Sequence, residues 1–86
     1  MKKIILFTQP NCKLSDKLKG LIAASGQLFE ERDVSKEVFF KRQMIEVTGG
    51  RKTTPQVLIE GKHVTDIRDV PRLLDINSQL KIGVSR

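Results

Sequence analysis

Ile4-Ile5-Leu6-Phe7-Thr8-Gln9-Pro10-Asn11-Cys12-Lys13-Leu14-Ser15 is the stretch that decides the architecture. Four apolar residues followed by a turn-forming Thr-Gln-Pro-Asn run read as a short buried strand, Lys3 to Thr8, that hands the chain to a helix. Cys12 stands at that junction. Beyond it Leu14, Leu18, Leu21 and Ile22 recur at the spacing of one apolar helix stripe, with Lys13, Asp16, Lys17 and Lys19 on the wet face. Gly26 is placed to end the helix as the residue just past its cap. The opening Met1-Lys2-Lys3 and the apolar run superficially resemble the start of a signal peptide. A secretory apolar region needs about 7–15 residues, and Thr8 to Asn11 interrupts this one too early.

Downstream, Leu28 to Val34 mixes apolar and charged residues as a part-exposed strand does. Ser35 is a natural N-cap for a second helix whose core face is expected from Val38, Phe39, Met44 and Ile45, stopped by Gly49-Gly50. Gln56 to Ile59 and Lys62 to Thr65 flank Glu60-Gly61, the connection of a tight hairpin. Asp69, with Pro71 just inside, predicts the start of a third helix carrying Leu73, Leu74 and Ile76, and Leu80 and Ile82 continue the packing on a final turn. The order β-α-β-α-β-β-α gives an α/β three-layer sandwich in which a right-handed crossover and a hairpin build a mixed four-stranded sheet. That is the thioredoxin-like arrangement, and residues 1–86 read as one domain without linker or repeat.

The chain of 86 residues carries a formal net charge of +6. Its basic residues are spread over every segment, and with no Trp or Tyr and four Phe there is little to stack on bases, which argues against nucleic-acid binding. A basic face attracts anionic substrates or acidic proteins instead. No stretch is long and apolar enough for a membrane span. One cysteine in so small a domain points to a reducing compartment, the cytoplasm. A monomer is expected.

Cys12 is the reactive candidate. At a helix start, free backbone N–H groups and the positive end of the helix dipole stabilise a thiolate, and Lys13 adds a neighbouring cation. The plainer alternative is an inert cysteine packed as a small hydrophobe. Ser15, three residues on, lies over the same helix face and can donate to the thiolate, or else is a capping serine without a chemical role. It occupies the position a resolving thiol would need and cannot act as one. Thr53-Thr54-Pro55 precedes the third strand, where proline holds Thr54 extended, and a bland turn proline is the ordinary reading.

With these residues in place the sequence resembles the glutaredoxin family over nearly its whole length. Ile5 to Cys12 is similar to that family's first strand and active-site loop, and Glu31-Arg32-Asp33-Val34-Ser35 to its second strand and turn. Met44 to Gly49 resembles the end of its second helix, Thr53-Thr54-Pro55-Gln56-Val57 its Thr-Val-Pro-Gln segment, and Ile59 to Val64 its hairpin. The resemblance implies that Cys12 is the nucleophile, that Pro55 is a cis-proline beside it, and that the Thr54 backbone pairs with the cysteinyl part of glutathione. It also implies that the backbone near Ile67, together with residue 68, holds the γ-glutamyl end. Three departures stand out. Gln9 replaces a usual lysine that contacts the glycyl carboxylate, a loss that nearby lysines such as Lys13 can offset. Thr65-Asp66 replace a Gly-Gly pair, and Arg68 replaces an often acidic residue.

Cys12-Lys13-Leu14-Ser15 matches neither the dithiol Cys-Pro-Tyr-Cys nor the monothiol Cys-Gly-Phe-Ser pattern of the family. His63, the one histidine, falls on the hairpin, where the resemblance implies a position away from the cysteine, and no metal ligand set is expected. The sequence therefore predicts a weak thiol–disulfide oxidoreductase with a monothiol mechanism. Its partners would be glutathione, as co-substrate, and glutathionylated or disulfide proteins. Catalytic roles fall to Cys12 and Ser15, and substrate contacts to Gln9, Lys13, Thr54, Pro55, Ile67 and Arg68. The alternative is a non-enzymatic binding module of the same fold, or an iron–sulfur cluster carrier, a role against which Lys13 in place of a glycine counts.

Overall fold

Strand β1, Ile4–Thr8, is buried at every position because it lies inside the sheet and is covered on both faces. In the computed structural model, which describes residues 2–76, it pairs in parallel with β2, Glu30–Asp33, in the register Ile5 to Glu30 through Thr8 to Asp33. On its other side β3, Gln56–Ile59, runs antiparallel, and β4, Lys62–Val64, pairs antiparallel with β3. The sheet order is β2-β1-β3-β4. This is the expected mixed four-stranded sheet of a thioredoxin-like fold.

The helices are α1, Lys13–Ala24, α2, Val38–Val47, and α3, Val70–Leu73, the last preceded by a 3₁₀ turn at Ile67–Asp69. Alternate residues of β1 point to opposite faces and build two separate clusters. Ile4 and Leu6 pack with Leu18 and Ile22 of α1 and with Val70 and Leu74, whereas Ile5 and Phe7 pack with Met44 of α2, Val34 and Leu58. The helices α1 and α2 thus cover opposite faces. Both follow the C-terminal ends of the parallel strands, so both begin at the same edge of the sheet.

Several expectations need correction. Leu14 is not part of the core stripe: it is 54% exposed, and Ser15, Leu18 and Ile22 take the inward positions. Leu28 is likewise exposed and β2 begins only at Glu30. Ser35 does not cap α2, because its N–H and hydroxyl both donate to Asp33 Oδ1, closing a local turn, and the helix begins two residues later after Glu37. Val38 and Phe39 then face outward, and Phe40 and Met44, one turn apart, occupy the core face. The 3₁₀ turn is capped by Asp66, whose Oδ1 accepts from the Arg68 N–H at 3.0 Å, while Asp69 precedes α3 without a side-chain cap bond. Leu73 faces outward and Leu74 inward. Leu80 and Ile82 lie outside the described residues.

The hairpin is as tight as expected. Glu60 and Gly61 both have positive φ, 55° and 80°, the type I′ geometry whose twist matches its strands.

Candidate functional site

Cys12 is the N-cap of α1, with extended backbone angles, and its carbonyl accepts the first helical bond from the Asp16 N–H at 3.1 Å. The preceding residue, Asn11, has a φ of 62°, a left-handed conformation that asparagine tolerates better than most side chains. That turn ends the β1 loop and delivers the sulfur to the sheet edge, half-buried.

Two other segments meet the sulfur. The Cys12 thiol donates to the Thr54 carbonyl at 3.6 Å, and the Thr54 hydroxyl donates to Sγ at 3.5 Å. Ser15 is 1% exposed, and its hydroxyl has no hydrogen-bond partner among the described residues. A thiolate at Cys12 is the acceptor within its reach, and the Ser15 hydroxyl is the largest cause of the lowered Cys12 pKa, followed by the Thr54 hydroxyl. Partial burial works against them, and the N–H groups of Ser15 and Leu14 in the first turn add smaller contributions in the same direction as the hydroxyls.

Of the residues singled out in the sequence, the structure thus brings Cys12, Ser15 and Thr54 together. Pro55 is buried beside them, and the Thr54–Pro55 peptide bond is cis. Gln9 and Lys13 flank the cysteine on the surface, and neither makes a side-chain hydrogen bond to another described residue. Ile67 and Arg68 lie on the 3₁₀ turn, Ile67 half-buried and Arg68 exposed. Arg68 is engaged there by Asp66 through two parallel bonds, Nε to Oδ1 at 3.0 Å and Nη2 to Oδ2 at 2.8 Å. This fork holds the Asp66 carboxyl down to about 2.

Sequence reasoning missed two features. One is the Thr54 side chain, since only its backbone was assigned a task. The other is a brace behind it: Gln56 is buried, its Nε2 donates to the Thr53 carbonyl at 3.0 Å, and its Oε1 pairs with His63 Nε2 at 2.9 Å. The signal was a glutamine opening an otherwise apolar strand, Gln56-Val57-Leu58-Ile59. Burial, and then the Arg51 charge, lower the pKa of His63, which favours its neutral form in this role.

Residues 4–64 match the glutaredoxin family model. Glutaredoxin 1 of Rickettsia typhi is 33% identical over 73 residues, covering 78% of this chain and 65% of that protein. Glutaredoxin 3 of Escherichia coli K12 is 26% identical over 70 residues, with 81% and 83% covered. The chain spans less than two thirds of the first of these relatives. Among solved structures, a thioredoxin-like protein crystallised as a single-residue variant superposes with a TM-score of 0.78 at 29% identity, over 90% of this chain and 100% of that one. Wheat glutaredoxin does so with a TM-score of 0.67 at 24% identity, over 90% and 74%, a likeness of fold. On this evidence the chain belongs to the glutaredoxin family, whose members are thiol oxidoreductases of thioredoxin-like fold.

Proposed function

We propose that the protein reduces mixed disulfides between glutathione and other thiols by a monothiol mechanism, with Cys12 as nucleophile and glutathione as co-substrate. The observation that carries this reading is the half-buried Cys12 sulfur at the cap of α1, hydrogen-bonded by the Thr54 hydroxyl and with its pKa lowered by the Ser15 and Thr54 hydroxyls, in a chain with one cysteine. The Cys12 thiolate attacks the glutathione sulfur of the substrate, the substrate S–S bond breaks, and the substrate thiolate leaves and takes a proton from water. A second glutathione, as thiolate, then attacks the glutathione sulfur bound to Cys12. Glutathione disulfide departs, and the Cys12 thiolate returns to its hydroxyl donors. Ser15 and Thr54 stabilise the leaving thiolate in that second step, and Ser15 cannot divert the intermediate into an internal disulfide.

Gln9, Lys13, Thr54, Pro55, Ile67 and Arg68 line the proposed glutathione path, and two features weaken it. A lysine-to-glutamine change removes a charge-assisted contact, which is worth about 1.5–3 kcal/mol where water is excluded and less on a solvated surface. Arg68 is already engaged by Asp66, so less of its charge is open to a substrate carboxylate. That pairing is also what favours the second reading, a binding module of this fold without turnover.

Glutathione-dependent reduction of a glutathionylated protein decides between them. Slow turnover is expected, abolished in Cys12→Ser and raised about threefold to tenfold in Gln9→Lys, the range of one partly screened charge contact. No turnover in either the unmodified protein or Gln9→Lys would remove the oxidoreductase reading in favour of the binding module.

A further inference from the structure

The first turn of α2 has no task in the fold. Val38 is 74% and Phe39 62% exposed, two adjacent apolar side chains on a helix whose core contacts are made by Phe40 and Met44. Phe39 is nevertheless held in place: its ring rests on Phe40 with centroids 6.4 Å apart and planes tilted by 50°, and the Arg32 guanidinium lies over Phe40 at 5.8 Å. Lys36, Lys41 and Arg42 surround the pair, each exposed and none in an ion pair among the described residues. On the helix, Arg42 falls one turn after Val38 and Phe39, and Lys41 one turn after Val38, so both cations border the apolar pair. Within 36–42 the one carboxylate is Glu37.

We infer that this surface docks a partner protein through an acidic segment bearing apolar side chains, and that the partner is the carrier of the mixed disulfide that Cys12 reduces. The last clause rests on the proposed function, whereas the docking itself does not. The charge chooses the occupant, since a second copy of this chain would place Lys36, Lys41 and Arg42 against their own equivalents without countercharge. Two apolar side chains interrupted by no polar spacer suit a protein side chain better than a phosphate backbone, which needs cations alone. The location supplies the link to chemistry. Thr8 is in register with Asp33, so the loops leading to Cys12 and to Val38 leave adjacent strands at the same sheet edge. The first turn of α2 therefore starts at the same end of the sheet as Cys12.

The test uses a short synthetic peptide in which glutamate and leucine alternate around one cysteine, and its counterpart with lysine in place of glutamate. Each is titrated unmodified into the full chain at low salt while backbone amide shifts are followed. The acidic peptide is expected to bind, to shift Val38, Phe39 and Arg42, and to weaken as salt is raised; Arg42→Glu is expected to weaken it about tenfold. Phe39→Ser should do the same, and because both side chains are exposed, Arg42→Glu tests the surface even if Phe39→Ser folds poorly. Equal affinity for the two peptides, or shifts confined to other elements, overturns the docking. So would shifts at Val38 and Phe39 produced by single-stranded DNA or by phosphatidylserine vesicles and not by the acidic peptide. Both peptides are then glutathionylated and turned over: preference for the acidic one, lost in Arg42→Glu while hydroxyethyl disulfide reduction is unchanged, supports the coupling to Cys12. Binding without any turnover keeps the docking and refutes the oxidoreductase reading, whereas turnover without preference keeps that reading and overturns the coupling of the docking surface to Cys12.

Discussion

Ser15→Ala moves reactivity and stability in opposite directions, and both signs follow from one atom. The Ser15 Oγ is buried with no partner among the described residues and is the first cause of the lowered Cys12 pKa. A hydrogen bond to the thiolate favours the charged form, so deleting the hydroxyl raises the Cys12 pKa. The Thr54 hydroxyl and the first-turn N–H groups remain, so the value stays below that of a free thiol. In the unmodified protein the folded pKa lies below the unfolded one, near 8.5. Thiolate stabilisation is therefore complete above that pH and is lost as pH falls through the folded value. Below the folded value the alanine removes a buried hydroxyl that has no acceptor, which stabilises the variant by about 1 kcal/mol, the low end of the cost of an unpaired polar group. The variant gains at acid pH and loses that advantage near pH 9. Iodoacetamide alkylation rates against pH give the first quantity, and urea midpoints at acid and alkaline pH the second. An unmoved alkylation inflection, or equal destabilisation at both pH values, would refute the assignment of Ser15 as thiolate donor.

Ser15→Cys places two sulfurs three residues apart across a helix start, and thiol counting after mild oxidation should find none free. Gln56→Leu strips the Thr53 carbonyl and His63 of a buried partner. It is expected to cost about 1–3 kcal/mol by chemical denaturation and to move the Cys12 alkylation inflection upward as Thr54 loosens. Gly61→Ala meets no atom within 4 Å, so only its φ of 80° opposes the methyl group. A loss of about 1–2 kcal/mol, read from the thermal midpoint, is the size of a left-handed backbone penalty.

The element order was legible because period and punctuation agreed: a buried strand, a glycine after each long helix, and Glu60-Gly61 between two short strands. What failed were the helix faces. Leu14 and Val38-Phe39 were assigned to the core on hydrophobicity, yet a twelve-residue and a ten-residue helix each have room for one narrow stripe against the sheet. Ser15, Leu18 and Ile22 fill one, and Phe40 and Met44 anchor the other. Periodicity gives the spacing of a stripe and leaves its phase to the sheet. Ser35 misled for a different reason, since its nearest acceptor was Asp33, two residues back, and a local turn outcompeted the cap. At the site, Cys12 and Ser15 were readable from local spacing. The Thr54 hydroxyl and the Gln56 brace were not: the first reaches the cysteine from 42 residues along the chain, and the second acts through Thr53 and His63.

The pairing of Asp66 with Arg68 bears on which end of glutathione the proposed site holds poorly. Read from sequence alone, the two side chains oppose one another: a carboxylate repels the γ-glutamyl carboxylate and a guanidinium attracts it. The structure replaces that conflict with a neutral fork. Asp66, held down to about 2, stays ionised throughout the range in which Cys12 is a thiolate, so the fork persists whenever the protein is reactive. The γ-glutamyl end of glutathione is itself a zwitterion, and a neutral pair in water neither draws it in nor drives it away. Opening an exposed ion pair to share its arginine costs little. At the glycyl end there is no such compensation within the loop, because Gln9 carries no charge to share and the carboxylate must turn to Lys13 on the next turn of the chain. The weaker hold is therefore at the glycyl end, and a substitution at position 9 moves glutathione affinity more than one at position 66 does.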